Sequence, residues 1–284
     1  MKRTVLFGAG QMGAMGARLL GGDHRIVCFA DNAPERQGGT LCGIPILSPE
    51  QSLMTEPACF CLCVLDDERA GQMENQLRAL GFCGDVLRLS ALIPFDARVA
   101  TMRMLAEEIH ARNVPGDVAE LGVYRGEFAV HINAAFPDRT LHLFDTFEGF
   151  PEQDVATERQ LGLSRAAAGD FGGVTQNIVW KTVPYPDMTV THKGYFPDTF
   201  PPCADKQFAF VSIDADLYAP TAAALPLFWE RLSPGGAIIV HDYDSAQFPG
   251  AGKAVREFCR RTGVRAIPLC DLHASALLAK AYSD

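Results

Sequence analysis

A short apolar run that ends in glycine and leads into a helical pattern constrains the fold of this chain most, and it occurs twice. The first run covers residues 3–8 and continues into the turn Gly8-Ala-Gly10-Gln-Met-Gly13. The second begins at residue 117 and continues into Glu120-Leu-Gly122-Val-Tyr-Arg-Gly126. A strand, a glycine turn and a helix in this order are typical of parallel sheets in α/β proteins. We therefore predict two doubly wound α/β sheets.

Hydrophobic periodicity divides the chain into two regions. Before residue 90 the pattern predicts a small parallel sheet with strands at 3–8, 25–30, 58–65 and 85–89. Residues 90–98 have no clear period, and we place a domain boundary near residue 95. The predicted domains are a Rossmann-like domain over residues 1–95 and a larger α/β domain over 96–284. The larger domain has predicted strands at 117–121, 140–144, 188–193, 207–213, 236–241, 265–269 and 275–280.

The segment between Asp145 and Asp187 is about forty residues long, which is too long for a plain loop in a compact domain. We expect a short helix near residues 175–181 and a mobile cover over a site.

Charge and cysteine content exclude several classes of function. The chain has 25 Lys and Arg against 34 Asp and Glu, a net charge of -9, which disfavours nucleic acids and anionic membranes as partners. No apolar run approaches the roughly 20 residues that span a bilayer. Nine cysteines without a Cys-x-x-Cys pair suit a reducing cytoplasm. Cys59, Cys61 and Cys63 could share one strand face and bind a soft metal, but a buried apolar strand is the favoured interpretation.

The first glycine turn matches a dinucleotide-binding fingerprint. Gly8, Gly10 and Gly13 lie between a strand and a helix, and Asp31 ends the next strand 21 residues after Gly10. Such glycines let the backbone approach a phosphate, and the acid can accept hydrogen bonds from ribose. The alternative is that the glycines only permit tight packing of the strand against the helix.

The second glycine turn indicates a different ligand. Glu120 precedes the turn, where it can face an ammonium group, and Asp145 ends the following strand, where it can hold a ribose diol. An amino acid joined to a nucleoside corresponds to S-adenosylmethionine. The alternative is that both acids only cap helices.

A third set of polar residues follows two further strands. Asp214 and Asp216 follow one apolar strand, and His241 and Asp242 follow the next. Because parallel strands place their ligands at their carboxyl ends, these groups are expected to converge. Carboxylate oxygens suit a hard divalent cation such as Mg²⁺. Solvated loop carboxylates remain the alternative.

At these residues a family resemblance becomes visible. Residues from about 97 to 284 resemble the macrocin and mycinamicin sugar O-methyltransferase family, which uses S-adenosylmethionine. The resemblance rests on the segments 118–126, 145–151 (Asp-Thr-Phe-Glu-Gly-Phe-Pro), 194–201 (Gly-Tyr-Phe-Pro-Asp-Thr-Phe-Pro), 214–218 (Asp-Ala-Asp-Leu-Tyr), 232–236 (Leu-Ser-Pro-Gly-Gly) and 241–243 (His-Asp-Tyr).

The resemblance implies a seven-stranded sheet with an antiparallel last strand and Mg²⁺-dependent methyl transfer to a sugar hydroxyl. Asp214 and Asp242 fall on metal-ligand positions. The family has an acid where this chain has His241, which is either a further ligand, a general base acting beside Asp214, or a residue that orients the substrate. The cofactor contacts implied are Glu120, Gly122, Tyr124, Gly126, Asp145, Thr146, Phe147, Gly194 and Tyr195.

The N-terminal region looks similar to the small domain that precedes sugar-nucleotide acyltransferase modules. That resemblance implies a nucleotide or nucleotide-sugar ligand near Gly8, Gly10, Gly13 and Asp31. Two rival functions remain open: an NAD-dependent oxidoreductase acting through this turn, and a non-catalytic binding or scaffold protein. The predicted partner is a small acceptor, a sugar or nucleotide sugar, and the sequence leaves homo-oligomerisation open.

Overall fold

The computed structural model describes residues 2–20, 24–92, 97–271 and 274–282. The chain divides into two compact units, Met1–Asp96 and Ala97–Asp284. The boundary predicted near residue 95 falls within 93–96 and lies outside the described residues. Among the described helices, none has both the length and the apolar character needed to cross a membrane.

The first unit is a six-stranded sheet in the order β3-β4-β2-β1-β5-β6. All neighbouring strands are parallel except β3 and β4. The strands are β1 (Lys2–Phe7), β2 (His24–Ala30), β3 (Thr40–Leu41), β4 (Ile44–Leu47), β5 (Cys59–Leu62) and β6 (Asp85–Arg88). The helices are α1 (Gln11–Leu19), α2 (Pro49–Leu53), α3 (Asp67–Ala79) and α4 (Leu89–Leu92).

The hairpin β3-β4 was not predicted, because its strands are too short to show a period. Its turn consists of Cys42 and Gly43, with φ of 51° and 74°. Two consecutive positive φ values are typical of the tight turns that join antiparallel strands.

The cysteines of β5 and its end are core residues. Cys59, Cys61 and Cys63 are all buried. Cys61 and Cys63 pack with Leu6 and Phe29 in one apolar cluster. The interpretation as a buried apolar strand is therefore confirmed.

The second unit is a seven-stranded sheet in the order β12-β13-β11-β10-β7-β8-β9. Strand β13 is antiparallel to both of its neighbours, and all other pairs are parallel. The strands are β7 (Asp117–Leu121), β8 (Leu141–Asp145), β9 (Thr189–Lys193), β10 (Phe208–Ile213), β11 (Leu232–Val240), β12 (Ile267–Pro268) and β13 (Ala276–Ala279). The predicted α/β class, with seven strands and an antiparallel last strand, is confirmed.

The helices of the second unit are α5 (Ala97–Ala111), α6 (Glu127–Ala135), α7 (Glu152–Leu161), α8 (Gln176–Thr182), α9 (Tyr218–Arg231) and α10 (Pro249–Thr262), with 3-10 turns at Pro186–Met188 and Pro201–Cys203. The predicted helix near 175–181 is α8. The longer helix α7 was missed in the same segment. It has little apolar periodicity, because charged and other polar residues occupy most of its sequence, Glu-Gln-Asp-Val-Ala-Thr-Glu-Arg-Gln-Leu.

Side chains alternate between two cores on the two faces of the sheet. Leu141 and Leu143 of β8 pack in one cluster, and Phe144 packs in the other. The central strand β10 is buried along its whole length, as expected of a parallel strand covered on both faces. Catalytic groups are therefore expected where the parallel strands end, since the faces are filled.

Candidate active site

The glycine turn after β7 brings two strand ends together. Gly122 has φ of 82°, and a Cβ at this position would collide with the backbone carbonyl of Asp214. The amide of Asp214 in turn donates to the carbonyl of Leu121 at 2.7 Å. Only glycine permits this approach, which brings the end of β10 beside the turn. Tyr124 also lies in the left-handed region, and Gly126 with φ of 79° begins α6.

Asp145, the last residue of β8, organises the same turn. The amides of Val123 and Tyr124 donate to its Oδ2 at 2.7 and 2.9 Å, and the amide of Phe147 donates to its Oδ1 at 2.6 Å. A carboxylate has about four lone-pair sites, so three amide bonds leave room for one further donor. The structure thus places Asp145 at the turn, with limited capacity for a ligand.

The residues beside Asp145 hold the next turn and the end of β9. The hydroxyl of Thr146 donates to the carbonyl of Gly149 at 2.9 Å, and Phe147 is buried. The amide of Gly194, which follows β9, donates to the carbonyl of Asp145 at 3.0 Å. The hydroxyl of Tyr195 instead donates to Asp154 of α7 at 3.0 Å. These contacts bring Thr146, Phe147 and Gly194 to the same sheet edge and direct the Tyr195 hydroxyl to α7.

Glu120 is a buried acid with an unsatisfied oxygen. Only 1% of the residue is exposed, and its Oε2 has no hydrogen-bond partner among the described residues. Burial raises the pKa of this carboxyl well above its usual range, the positive charge of Arg98 opposes that shift, and the charges of Asp214 and Asp145 add to it. A buried acceptor without a partner is costly, so this atom points to a ligand group that supplies a donor.

Four polar side chains converge at the ends of β10 and β11. One ligand atom from each of Asp214, Asp216, His241 and Asp242 lies within 4.8 Å of the others. Nδ1 of His241 lies 2.8 Å from Oδ1 of Asp214 and 2.6 Å from Oδ2 of Asp242. The predicted convergence of Asp214, His241 and Asp242 is therefore observed. Asp216, which the sequence also placed among the converging groups, belongs to the same cluster.

The backbone of this carboxylate cluster is strained. Asp216 and Asp242 each have φ of 56°. The left-handed region costs a residue with a Cβ roughly 1–2 kcal/mol, and such strain is common at functional sites. Part of each side chain remains accessible, because 22% of Asp214, 13% of His241 and 9% of Asp242 is exposed. A small solute can therefore reach the cluster.

Arg98 is a member of the site that sequence reasoning missed. Its two terminal nitrogens donate to Oδ2 of Asp214 and to the hydroxyl of Ser212, each at 3.0 Å. Its guanidinium also lies over the ring of Phe128, 3.8 Å from the centroid. Arg98 lies 116 residues before Asp214 in the sequence, and no spacing rule connects the two. The signal in the sequence is that Arg98 shares the helical spacing of Met102, Ala106 and Ile109, the buried residues of α5.

Charge pairing sets the protonation of the cluster. Burial alone would lower the pKa of His241, but the charge of Asp214 and hydrogen bonds to Asp214 and Asp242 raise it to about 10. Burial would raise the pKa of Asp214, but the charges of His241 and Arg98 hold it well below its usual range. Burial and the charges of Asp214 and Asp242 raise the pKa of Asp216 well above its usual range. The cluster therefore contains a charged imidazole paired with ionised Asp214.

The segment 146–187 adds an aromatic group to this end of the unit. Phe171 is 47% exposed, and its ring centroid lies 5.6 Å from that of Tyr124 and 5.3 Å from that of Phe150. Phe248 completes the group, 5.9 Å from Phe150. These rings provide an apolar surface next to the glycine turn.

The glycine turn of the first unit resembles the second in its geometry. Gly8 has φ of 111°, and a Cβ on Gly13 would collide with the carbonyl of Gly8. Asp31, at the end of β2, accepts a hydrogen bond from the amide of Ala9 at 2.7 Å through Oδ2. Nη1 of Arg36 lies 3.2 Å from the same oxygen.

The predicted nucleotide-binding residues of the first unit are therefore together at one sheet edge. The amide of Ala33 donates a hydrogen bond to the other oxygen of Asp31, Oδ1, at 2.9 Å. Gly10 faces the guanidinium of Arg36, since a Cβ there would lie 3.6 Å from Nη1. Sequence reasoning did not identify Arg36.

The groups at the end of the second sheet suit two kinds of ligand. The orphan oxygen of Glu120 and the lone-pair capacity of Asp145 suit a molecule with an ammonium and a hydroxyl group. Three carboxylates and one imidazole within 4.8 Å suit a divalent cation, for which oxygen-rich sites are typical.

Comparisons with known proteins find similar O-methyltransferases. A family profile described as Macrocin-O-methyltransferase (TylF) matches residues 65–277, beginning within the first unit. The 8-demethyl-8-(2,3-dimethoxy-alpha-L-rhamnosyl)-tetracenomycin-C 4'-O-methyltransferase of Streptomyces olivaceus is 30% identical over 178 residues, 59% of this chain and 67% of that protein. The mycinamicin III 3''-O-methyltransferase of Micromonospora griseorubida is 31% identical over 179 residues, 59% of this chain and 69% of that protein.

A solved structure, that of the O-methyltransferase NovP, is also similar. It is 28% identical, with a TM-score of 0.54, covering 65% of this chain and 80% of that chain.

Proposed function

This chain belongs to the macrocin O-methyltransferase family and is an S-adenosylmethionine-dependent O-methyltransferase, and on that premise we propose that it methylates a hydroxyl of a sugar or sugar-containing metabolite with the assistance of a divalent cation. The observation that carries the proposal is the convergence of Asp214, Asp216, His241 and Asp242 at the ends of two strands beside the Glu120–Gly126 turn.

The cofactor assignment depends on Glu120 and Asp145. S-adenosylmethionine supplies an electrophilic methyl group on a sulfonium. We assign its ammonium group to Glu120, because the unsatisfied Oε2 needs a donor. We assign its ribose to Asp145, whose remaining lone pair can accept one hydroxyl. Gly122, Tyr124, Gly126, Thr146, Phe147, Gly194 and Tyr195 complete the proposed cofactor site.

The acceptor hydroxyl must be held in line with the methyl group and must lose its proton. The residues that would hold a divalent cation, Mg²⁺ in this proposal, are Asp214 and Asp242, with His241 and Asp216 beside them. Such a cation lowers the pKa of an oxygen that it binds. Arg98 keeps Asp214 ionised and oriented through its 3.0 Å hydrogen bond.

Proton removal is assigned to the same cluster. A carboxylate of the cluster or His241 is in place to accept the hydroxyl proton. For His241 this requires the neutral imidazole, and the pairing with Asp214 and Asp242 favours the charged form. A carboxylate is therefore the preferred acceptor while these ion pairs are intact.

A sugar acceptor is supported by the names of the similar proteins and by the aromatic group. One similar enzyme is named for 4'-O-methylation of a rhamnosyl-tetracenomycin, and another for 3''-O-methylation of mycinamicin III. The exposed ring of Phe171 offers an apolar face on which the C–H face of a sugar can lie. The rest of segment 146–187 would then set acceptor selectivity.

The test is product detection with defined acceptors. The full chain is incubated with S-adenosylmethionine, Mg²⁺ and a panel of nucleotide sugars, glycosides and non-sugar phenols, and products are analysed by mass spectrometry. We expect a mass increase of one methyl group on a sugar-containing acceptor. Methylation of the phenols alone would reject the sugar assignment, and full turnover after exhaustive chelation would reject the cation.

A second proposal concerns the first unit. We propose that the turn at Gly8, Gly10 and Gly13, with Asp31, binds a nucleoside diphosphate or nucleotide sugar. The observation that favours it is the Arg36 guanidinium beside Gly10, which adds positive charge where a diphosphate would approach the turn. A dinucleotide such as NAD would use the same groups and is included in the test given in the Discussion.

A further inference from the structure

A second cluster of metal-binding side chains lies on the β8–β9 side of the second sheet. It consists of His142 on β8, His192 on the edge strand β9, and Cys203 at the end of a 3-10 turn. Nδ1 of His142 lies 3.0 Å from Nε2 of His192. Sγ of Cys203 lies 3.5 Å from the first nitrogen and 3.6 Å from the second. The cluster shares no residue with the carboxylate cluster.

These distances match those of a tetrahedral metal centre. With metal–nitrogen bonds of about 2.05 Å and a metal–sulfur bond of about 2.3 Å, tetrahedral geometry separates two nitrogens by about 3.3 Å and nitrogen from sulfur by about 3.6 Å. The three atoms in this protein differ from that arrangement by at most a few tenths of an ångström. Small side-chain rotations therefore suffice to bind an ion.

The surrounding groups hold the two rings in a coordinating orientation. Nε2 of His142 lies 3.1 Å from Oδ2 of Asp117, and Lys206 contacts the same oxygen at 3.3 Å. Metal-binding histidines usually donate their second nitrogen to a carboxylate in this way. The ring of His192 stacks on Phe144, with centroids 4.4 Å apart and planes at 14°.

The ligand set selects the metal. Two imidazoles and one thiolate suit Zn²⁺, whereas Mg²⁺ prefers oxygen. We propose that His142, His192 and Cys203 form a zinc site with three protein ligands and a fourth position open to water. His142 and Cys203 are buried, and His192 is half-buried, so the open position faces the His192 side.

Binding releases one proton. The thiol of Cys203 loses its proton to solvent and binds as thiolate, and the proton shared between the two rings moves to Nδ1 of His192. Burial lowers the pKa of His142, and that of His192 to about 4, so both rings are neutral at pH 7. No oxidant or reductant is involved.

The ion would join three separate parts of the chain. Strand β9 is the edge strand next to β8, and the site ties β9 to β8 and to the 3-10 turn at 201–203. Since β9 leads directly to Gly194, which bonds Asp145, a zinc ion here would stabilise the strand that borders the proposed cofactor site. The expected role is structural.

The test uses Co²⁺ as a spectroscopic probe. The full chain is freed of metal with a chelator and titrated with Co²⁺. We expect the near-ultraviolet charge-transfer absorption of a cobalt thiolate, saturating at one equivalent and abolished by added Zn²⁺. Cys203→Ser should lose this band, and Cys259→Ser, a matched change of a cysteine outside the cluster, should keep it. Absence of the band in the unaltered protein, or its persistence in Cys203→Ser, would overturn the proposal.

Three further variants test for misfolding, for binding at the other cluster and for the support that Asp117 gives to His142. His192→Asn, at a half-buried edge position, should weaken Co²⁺ binding at least tenfold while circular dichroism stays unchanged; unaltered affinity would overturn the proposal. Asp242→Asn changes the carboxylate cluster and should leave the thiolate band intact, so its loss in this variant would also count against the site. Asp117→Asn should weaken binding by about 10- to 100-fold.

Discussion

The two units of this protein contain the same local structure with different surroundings. In each, a glycine turn joins the first strand to a helix, and the acid that ends the next strand accepts hydrogen bonds from backbone amides of that turn. Asp31 accepts a hydrogen bond from one amide of its turn, and Asp145 accepts hydrogen bonds from two. In both units a Cβ on a turn glycine would collide with a backbone carbonyl, at Gly13 and at Gly122.

The difference lies in the neighbouring strand ends. Beside the turn of the second unit stand a buried glutamate with an unsatisfied oxygen and the cluster of three aspartates and His241. Beside the turn of the first unit, the described residues provide Arg36 and no such cluster. The glycine turn is therefore a way to connect strand and helix, and the adjacent strand ends supply the chemistry.

Removal of Asp214 should have the largest effect. Asp214→Asn takes away a proposed cation ligand and removes the negative charge that Arg98 and His241 both contact. We expect the methyl-transfer rate to fall by about 10²–10⁴-fold, measured by mass spectrometry under saturating substrates. The exposed Asp205→Asn serves as control. A fall of less than tenfold would contradict the assignment of chemistry to this cluster.

The turn glycines should show the next largest effect, on stability. Gly122→Ala creates a steric clash and a strained φ together, so we expect a loss of about 2–4 kcal/mol in the free energy of unfolding. Gly13→Ala, with the clash alone, should lose about 1–3 kcal/mol. Gly162 has φ of 64° and open space around it, so Gly162→Ala should lose only about 1 kcal/mol. Equal losses at all three positions in urea unfolding would refute the close-approach argument.

The two turn acids should differ in cofactor binding. Asp145→Asn should weaken S-adenosylmethionine binding by about 10- to 100-fold, since a hydrogen bond to a charged group contributes about 1.5–3 kcal/mol. Asp31→Asn, the same change in the first unit, should leave that affinity within about twofold. Isothermal titration calorimetry measures both. Should Asp31→Asn weaken the cofactor as much as Asp145→Asn, the division of roles between the units is wrong.

Glu120 should make the stability of the second unit depend on pH. Its folded-state pKa is raised by burial, so the folded protein keeps a proton that the unfolded chain releases above about pH 4.3. Its contribution to stability is therefore complete below that pH and is lost as pH rises, by at most about 1.4 kcal/mol per pH unit.

The measurement is thermal unfolding of the unaltered protein and Glu120→Gln between pH 5 and 7. The stability difference should shift in favour of Glu120→Gln as pH rises, and saturating S-adenosylmethionine should reduce that shift if its ammonium meets Glu120. A difference that stays constant with pH would show that the carboxyl is not held protonated.

Nucleotides at the first unit are expected to stabilise the protein without any substitution. Full chain at a hundredfold excess of ligand over the dissociation constant should gain about 2.7 kcal/mol, seen as a modest rise in melting temperature. The panel contains nucleoside diphosphates, nucleotide sugars and NAD, and Arg36→Gln should abolish the rise. No stabilisation by any of them would remove the second proposal.

Much of the fold was predictable, because apolar runs and glycine turns are local signals. The strand at 117–121 was predicted to the residue, and the neighbouring strands within about two residues at most ends. Helix α7 and the hairpin β3-β4 were missed, since the first has weak apolar periodicity and the second is too short. The positions of Asp214, His241 and Asp242 directly after two strands predicted that they converge, and the cluster is observed.

By itself, the sequence determined where strands end in acids and glycines, because a parallel α/β sheet brings all such ends to one edge. Only the tertiary structure decided which distant side chains meet. Arg98 contacts Asp214 across 116 residues, and His142 meets His192 and Cys203 across 50 and 61 residues. In the sequence, a soft-metal site at Cys59, Cys61 and Cys63 was only the less favoured alternative to a buried strand, and all three are core residues. Strand order and side-chain direction, which depend on how the whole chain packs, place thiol and imidazoles together elsewhere.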